Sequence, residues 1–190
     1  MFKGKLSNTE YRLMQGFMKL VDHVHPHVRA RTEGLGIRPG QTIVDYGCGP
    51  GRYTVEMARL VGTGGRVIAV DLVELALQET QRKLEASGIN NVDIKLAQGY
   101  DSGIADGVAD IVFAIDMFHH IADTNVFLRE VFRISKSDGL LILSGGHMTR
   151  NTVKAKIAMS KIWDIADERK ELIAYKKREG FQGKGNLPSM

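Results

Sequence analysis

The sequence predicts an α/β fold in which helices cover both faces of a doubly wound, mostly parallel sheet. Short apolar runs of strand length alternate along the chain with segments whose apolar residues recur at helical spacing. Within the runs, apolar residues do not alternate with polar ones, which is typical of strands buried on both faces. Strands of this kind, separated by helices, belong to parallel sheets.

Five strands and three connecting helices are predicted in the central part of the chain. The strands are Gln41–Asp45, Arg66–Asp71, Val92–Ala97, Ala109–Asp116 and Leu140–Ser144. The helices are Tyr53–Leu60, Glu74–Ala86 and Thr124–Ile134. Gly88 is expected to end the second helix, because glycine is favoured just after a helix. Asp123 is expected to cap the third helix, because its carboxylate can accept the first free N–H groups.

The two ends of the chain are predicted to be helical. An apolar stripe predicts a helix at Thr9–Val24, and a second short helix is expected at His27–Glu33. Asn151–Glu179 is expected to be wholly helical. A sheet of five strands would leave its fifth strand as an exposed edge. We therefore expect the C-terminal helix to cover that edge, or a second copy of the chain in a homodimer.

Length and composition indicate one globular domain of 190 residues. Cys48 is the only cysteine, so no intrachain disulfide can form. No apolar run approaches the roughly 20 residues of a membrane span, and the N-terminus lacks the apolar stretch of a secretory signal. We expect a cytoplasmic protein. Residues 150–190 carry ten Lys or Arg against five Asp or Glu, a basic excess interpreted as a solvated helix face, so a small-molecule partner is favoured over a nucleic acid.

The most informative segment is IVDYGCGPG, in which a strand ends at Asp45 and three glycines follow at Gly47, Gly49 and Gly51. Glycines let the main chain turn sharply and approach a ligand closely, and ligands bind at the carboxyl ends of parallel strands. A dinucleotide fingerprint would need a third glycine where Arg52 stands. A carboxylate before the loop would oppose a pyrophosphate. The pattern therefore favours a ligand that carries an ammonium or sulfonium group.

A second acid ends the next strand, VIAVD, at Asp71, 20 residues after Gly51. A carboxylate at this position can accept two hydrogen bonds from a ribose diol, and charged acceptors form the stronger hydrogen bonds. The ligand is thus expected to be a nucleoside with free ribose hydroxyls.

With these two segments, the chain resembles the class I S-adenosylmethionine-dependent methyltransferases. IVDYGCGPG and VIAVDL look like the family's first two motifs, and the resemblance continues through ADIVFAIDMFHHI and VFRISKSDGLLILS, over residues 35–146. It implies a Rossmann-like methyltransferase fold, S-adenosyl-L-methionine as cofactor and methyl transfer as the reaction. The family's sheet usually has seven strands, of which the last two form a hairpin. The hairpin is expected to be missing here, because the C-terminal residues are predicted to be helical.

The resemblance also implies the domain organisation and the cofactor contacts. Residues 1–34 would form a helical lid, 35–146 the cofactor-binding core and 147–190 a basic helical segment, all in one domain, 1–190. The glycine loop and Asp45 would hold the methionine end of the cofactor, and Asp71 the ribose. Leu72 would lie on the adenine face.

Three further positions are assigned by the same resemblance. The loop after the third strand would bound the adenine edge through Gly99 and Tyr100. The family usually places Gly-Asp there, whereas this chain has its acid one position later, at Asp101. Asp116, at the end of the fourth strand, would line the methionine end.

Methyl transfer from a sulfonium needs a positioned nucleophile, and it needs a base only if the acceptor must lose a proton. His119 and His120 are the candidate bases, and the alternative interpretation is that they form a pocket wall or cap the next helix. The histidines of HVHPH are interpreted as solvated residues and not as a metal site, and Cys48 as a small loop residue and not as a nucleophile. Two other functions stay open: a catalytically inactive S-adenosylmethionine-binding partner and a nicotinamide-dependent oxidoreductase.

Overall fold

A computed structural model describes residues 35–169 and 172–181, together with Val28, Arg31 and Thr32. These residues contain a mostly parallel sheet of seven strands, and the chain divides into two compact units, of which one ends at Leu96 and the other begins at Ala97. The predicted helices Thr9–Val24 and His27–Glu33, the N-terminal lid and the HVHPH histidines lie outside the described residues, apart from the three residues just named.

The unit that ends at Leu96 contains three parallel strands in the order β3-β2-β1. Its strands are β1 (Thr42–Tyr46), β2 (Arg66–Asp71) and β3 (Val92–Leu96), and its helices are α1 (Arg52–Val61) and α2 (Glu74–Ala86). Strands β1 and β2 are almost wholly buried, as their apolar sequences predict. Burial on both faces is wrong for β3, whose residues are all at least partly exposed.

Both helices of this unit end at glycines in the left-handed region of backbone space. Gly62 follows α1 with a φ of 65°, and Gly88 follows α2 with a φ of 64°, so the predicted stop of α2 at Gly88 is confirmed. The side-chain amide of Asn91 donates to the carbonyl oxygens of Ala58 and Gly62, at 3.0 and 2.9 Å. These bonds satisfy carbonyl groups that the end of α1 leaves without helical partners.

The unit that begins at Ala97 contains four strands in the order β4-β5-β7-β6. They are β4 (Ala109–Ala114), β5 (Ser135–Leu143), β6 (Trp163–Glu168) and β7 (Ile173–Lys177). The helices are α3 (Thr124–Ile134) and α4 (Arg150–Ser160), and a 3₁₀ turn covers Phe118–His120. The predicted cap of α3 is confirmed, because the Asp123 carboxylate accepts the N–H groups of Asn125 and Val126.

The prediction of five strands without a terminal hairpin is wrong, because β6 and β7 pair antiparallel with each other and β7 pairs with β5. The expectation of one helix over Asn151–Glu179, and of a wholly helical segment after residue 146, is therefore also wrong. Helix α4 ends at Ser160, and the next residue, Lys161, has a φ of 60°. The edge of β5 is covered by β7, so neither a C-terminal helix nor a homodimer is needed to cover it.

The hairpin is held by side chains that alternate along its strands. Trp163, Ile173 and Tyr175 are almost fully buried. Ile173 and Tyr175 lie two positions apart on β7, which places them on the same face of the strand. The indole N–H of Trp163 donates to the carbonyl oxygen of Leu128 at 3.2 Å, and its ring meets the Phe132 ring edge-on, with centroids 5.8 Å apart. Trp163 is therefore a core residue of this unit.

None of the helices in the described residues combines the length and the apolar character that crossing a bilayer requires.

Candidate functional site

The glycine loop between β1 and α1 satisfies its main-chain N–H groups within the chain. The N–H groups of Gly47 and Cys48 donate to the carbonyl oxygen of Val70, at 2.8 and 3.0 Å. The N–H of Gly49 donates to Oδ2 of Asp71 at 2.8 Å. The end of β2 thus fastens the loop through one carbonyl and one carboxylate. These three N–H groups do not form a cradle for an anion.

Helix α2 fastens the same loop from its other side. The hydroxyl of Thr80, which is fully buried, donates to the carbonyl oxygen of Gly49 at 2.9 Å. A Cβ at Gly51 would lie 2.9 Å from atoms of the Thr80 side chain, and the φ of Gly51 is 72°. Glycine is therefore required at position 51 by both backbone conformation and packing.

The Asp45 carboxyl lies at the end of β1 and is only 3% exposed. Its Oδ2 accepts the hydroxyl hydrogen of Thr54, on the first turn of α1, at 2.6 Å. Burial raises the pKa of Asp45 to about 6; the Thr54 hydrogen bond opposes this shift, and the negative charge of Asp71 adds to it. A cation near this carboxyl would offset part of the free-energy cost of burying its negative charge, and would therefore favour the charged form.

Both oxygens of the Asp71 carboxylate accept main-chain N–H groups. Oδ2 accepts from Gly49, as described, and Oδ1 accepts the N–H of Val73 at 2.9 Å. Burial raises the pKa of Asp71 despite these bonds to its charged form. Each carboxylate oxygen has a further lone pair, so the group can still accept hydrogen bonds from a diol. Leu72 follows it and is half-buried.

The thiol of Cys48 is buried inside the loop, and a hydrogen bond with the Thr80 side chain only partly offsets the effect of burial on its pKa. Burial raises its pKa well above the usual value, and the charges of Asp45 and Asp71 raise it further. Because the thiolate is the nucleophilic form, this environment supports the interpretation of Cys48 as a small loop residue.

In the unit that begins at Ala97, the loop after β3 is a tight turn. Gly99 has a φ of 64°, and the hydroxyl of Tyr100 accepts the N–H of Asp123, at the start of α3, at 2.7 Å. The acid one position later, Asp101, is exposed and accepts the N–H of Gly103 at 2.8 Å. Tyr100 therefore joins the turn to α3, while Asp101 stabilises the turn itself.

Asp116 follows β4 in a strained conformation, with a φ of 56°. Its N–H donates to Oγ of Ser144, at the end of β5, and the Ser144 hydroxyl donates back to Oδ1 of Asp116, both at 2.8 Å. Non-glycine residues in the left-handed region cost free energy and persist where the surroundings hold them. Here the serine on the neighbouring strand holds the residue.

The rings of His119, His120 and His147 form a cluster beyond β4. The centroid of the His119 ring lies 3.9 Å from that of His120 and 4.9 Å from that of His147. His119 is half-buried, whereas the other two are exposed. Burial lowers the pKa of His119, the charges of His120 and His147 lower it further, and the charge of Asp116 opposes them. The structure thus adds His147 to the two histidines that the sequence singled out.

Residues 37–178 match the family model described as "Methyltransferase domain". The chain belongs to this family. The prediction of a class I S-adenosylmethionine-dependent methyltransferase is thereby confirmed at the level of the family.

Individual relatives of this methyltransferase domain differ in their named acceptors. The ubiquinone/menaquinone biosynthesis C-methyltransferase of Vibrio vulnificus is 34% identical over 109 residues, which cover 57% of this chain and 42% of that protein. The nocamycin O-methyltransferase of Saccharothrix syringae is 28% identical over 125 residues, covering 66% of this chain and 45% of that protein. The chain thus spans less than half the length of these two relatives.

A solved structure supports the fold. The S-adenosylmethionine-dependent methyltransferase of Aquifex aeolicus superposes with a TM-score of 0.74 at 18% identity, over 90% of this chain and 97% of that one. At this identity the likeness shows the fold, and the predicted Rossmann-like fold is confirmed with seven strands in place of five.

Four residues that contact the predicted site residues of this methyltransferase domain were not identified from the sequence. They are Thr54, Thr80, Ser144 and His147. The two threonines are fully buried polar residues on helices, and a hydroxyl on the apolar face of a predicted helix was the available signal. For Ser144 the signal was its place at the end of a predicted strand.

Within the described residues, no group of three or more His, Cys, Asp or Glu side chains is arranged to hold a metal ion.

Proposed function

We propose that this chain transfers the methyl group of S-adenosyl-L-methionine to an acceptor by in-line displacement. The observation that carries the proposal is the pair of carboxylates, Asp45 and Asp71, at the ends of the adjacent strands β1 and β2. In the register of β1 and β2, Asp45 pairs with Ala69, and Asp71 stands two residues after Ala69 on β2. The two acids therefore flank the glycine loop from neighbouring strands. Two negative groups beside a bare main-chain turn suit a positively charged nucleoside.

The hydrogen bonds of the loop support this ligand over a dinucleotide. A pyrophosphate site needs main-chain N–H groups directed at the phosphate oxygens. The N–H groups of Gly47, Cys48 and Gly49 instead donate to acceptors within the chain. Asp45 and Asp71 would also repel a pyrophosphate. These features weigh against the nicotinamide-dependent alternative.

The donor set fits the cofactor that the family uses. Asp45 would complement the positive charge of the methionine end, Asp71 would accept the ribose hydroxyls through its second lone pairs, and Leu72 would offer apolar surface to the adenine. The glycines Gly47, Gly49 and Gly51 would allow close contact. When bound, the cofactor supplies a methyl group on a good, neutral leaving group.

Three residues of the unit that begins at Ala97 are proposed to have the roles that the family resemblance implies. Gly99 and Tyr100 are proposed to bound the adenine edge, and Asp116 to line the methionine end. The bond of Tyr100 to Asp123 and the bonds of Asp116 to Ser144 support these roles, because each residue is held in one conformation.

Catalysis then depends mainly on holding the acceptor in line with the methyl group. Orientation of this kind can contribute about 7–11 kcal/mol. A missing terminal hairpin would favour an inactive cofactor-binding partner, but the hairpin is present. Two relatives named for quinone biosynthesis and nocamycin O-methylation support a small-molecule acceptor.

Calorimetry tests the cofactor directly. We expect S-adenosylhomocysteine and S-adenosylmethionine to bind with one site per chain, and NAD to produce no saturable heat. Absence of S-adenosylhomocysteine binding at high protein concentration would refute the proposal. Binding without formation of S-adenosylhomocysteine across phenol, amine, carboxylate and enol acceptors would favour the inactive alternative.

A further inference from the structure

Strand β3 forms one edge of the sheet within the part of the chain that the structure describes. It pairs with β2 on one side, and all of its residues are at least partly exposed. Leu96, at its end, is 53% exposed, although its side chain is large and apolar. The edge of a sheet presents main-chain N–H and C=O groups that can pair with a further strand. The residues of β3 indicate which strand that is.

The main-chain hydrogen-bonding groups of β3 alternate in direction along the strand. The carbonyl oxygen of Asn91, just before β3, accepts the N–H of Val67 on β2 at 3.0 Å. In a parallel ladder every second residue bonds to the same neighbour, so Asp93 and Lys95 also direct their main-chain groups towards β2. The residues that direct theirs outward are Val92, Ile94 and Leu96.

The side chains of β3 are complementary to those of a second β3 that runs antiparallel to it. When two copies pair about Ile94, Asp93 of each lies opposite Lys95 of the other, and Val92 lies opposite Leu96. Opposite charges and apolar side chains directly across an antiparallel pair stabilise it. The charged residues would occupy the positions without hydrogen bonds between the strands, where opposed side chains lie closest.

One antiparallel register gives this match. Centring the pair on Asp93 or on Lys95 sets like charges opposite each other, which destabilises a strand pair. A shift by a single residue brings charged residues opposite apolar ones. The Asp93 carboxylate is accessible to a partner, because its contact with Arg66 at 3.3 Å leaves the side chain 53% exposed. The alternation of charge along β3 therefore selects the register centred on Ile94.

We propose that two copies of this chain associate through antiparallel pairing of their β3 edges, in the register centred on Ile94. Each outward-facing residue then donates and accepts a main-chain hydrogen bond across the contact, and Leu96 is covered. The contact is the same on both copies, as a two-fold axis requires. Because it uses none of the residues proposed to hold the cofactor, it is independent of the proposed function.

Sedimentation of the full chain tests the association. A pairing of single short strands is smaller than the interface of a permanent dimer, so we expect dimers at high protein concentration. Over about a hundredfold range of concentration that reaches millimolar protein, the mass should rise from that of the 21.0 kDa chain towards twice that value. A constant monomer mass over this range overturns the proposal.

Charge reversals test the register. Asp93→Lys sets lysines opposite lysines, and Lys95→Asp sets aspartates opposite aspartates, so each variant alone should stay monomeric. An equimolar mixture of the two restores both Asp–Lys pairs and should dimerise as the wild-type chain does. Lys176→Asp, at an exposed position on β7, makes the same charge change as a control and should leave the dimer intact.

Two results of this experiment would contradict the register. One is dimerisation of either single variant with wild-type affinity, and the other is a mixture of folded variants that stays monomeric. Thermal unfolding of each variant checks that it is folded, and recovery of the dimer in the mixture requires that both are.

Hydrogen exchange of the wild-type chain locates the contact without any substitution. Where about nine-tenths of the chains are paired, the outward amides of Val92, Ile94 and Leu96 should exchange about tenfold more slowly than in dilute protein. The amides of Asp93 and Lys95, which face β2, should exchange at the same rate at both concentrations. Slowing confined to other parts of the chain would place the contact elsewhere and overturn the proposal.

Discussion

The glycine loop after β1 and the segment after β4 that contains Asp116 and His119, called here the histidine turn, both follow the carboxyl end of a buried strand. They differ in whether their polar groups have hydrogen-bond partners within the chain. In the loop, Asp71 and Thr80 bond the N–H and the carbonyl of Gly49. In the turn, Nδ1 of His119 has no partner among the described residues, and Asp116 is strained. The difference shows that partners within the chain fix the conformation of the loop, whereas the turn keeps a buried ring nitrogen without a partner in the described part of the chain and a residue in a costly backbone conformation.

The largest expected effect is at Asp71, because its carboxylate serves both the loop and the proposed ribose contact. Asp71→Ala leaves the N–H groups of Gly49 and Val73 without their acceptor and removes two bonds to the diol. Hydrogen bonds to a charged group contribute about 1.5–3 kcal/mol each, so we expect S-adenosylhomocysteine affinity to fall by about 100-fold or more in calorimetry.

Asp93→Ala is the matched control for this substitution. Asp93 is exposed on β3 of the same unit and pairs with Arg66 at 3.3 Å, so its loss should change affinity less than twofold. If the Asp71 and Asp93 variants bind equally well, the loop does not depend on the Asp71 carboxylate.

The second prediction concerns Thr80, whose hydroxyl donates to the carbonyl oxygen of Gly49 in the loop. Thr80→Val keeps the shape of the side chain but leaves the Gly49 carbonyl with only the weak thiol donor of Cys48, at 3.6 Å, at a cost of about 1 kcal/mol. We expect a lower free energy of unfolding in urea and a cofactor affinity reduced by about tenfold. Thr80→Ser keeps the hydroxyl and should recover most of the affinity; equal losses in both variants would mean that the methyl packing against Gly51, and not the hydrogen bond, holds the loop.

The third prediction is a pH dependence that arises from Asp45. A cationic ligand favours the ionised carboxylate, so binding should release a proton where the free group is still protonated, below about pH 6. Affinity for S-adenosylmethionine should therefore fall by about tenfold between pH 7 and pH 5. Calorimetry at pH 5.5 in buffers of different ionisation enthalpy measures the released proton.

Asp45→Asn should remove the pH dependence of cofactor affinity. It should weaken cofactor binding but raise the stability of the ligand-free fold at pH 7. The folded pKa of Asp45 lies above its unfolded value, so ionisation destabilises the ligand-free fold progressively as pH rises from about 4 through about 6. The variant should therefore unfold at a higher temperature than wild type at pH 7 while it binds the cofactor more weakly. Asp93→Asn is the control. An unchanged pH slope in Asp45→Asn would show that another group carries it.

The smallest expected effect is at Ser144, which holds Asp116. Ser144→Ala removes both bonds to Asp116 and should lower the free energy of unfolding in urea by about 1 kcal/mol. Asp116→Asn should cost less, because asparagine tolerates the left-handed region and still offers Oδ1 to the serine hydroxyl. A larger loss in Asp116→Asn than in Ser144→Ala would mean that the negative charge of Asp116, and not its bonds to Ser144, stabilises the turn.

The cofactor half of the chain was predictable because its signals are local. A strand, alternate glycines and a helix follow within a few residues of Asp45, and Asp71 ends the next strand. The C-terminal hairpin was not predictable in the same way, because β6 and β7 are short, partly exposed and rich in residues that also suit a helix. Their pairing with β5 decided their conformation, as tertiary contacts commonly do for strands.

The sequence by itself determined the order of elements from β1 to β5, the glycine loop, the stop at Gly88, the cap at Asp123 and the two acids at the ends of β1 and β2. Only the tertiary structure decided that Asp71 and Thr80 bond the N–H and the carbonyl of the same residue, Gly49, that Ser144 holds Asp116, and that His147 and Gly146 contact His119. The partners in these contacts, including Gly146 and His119, lie between 22 and 31 residues apart along the chain. No local pattern encodes such contacts, since they form only when separate strands and helices pack together.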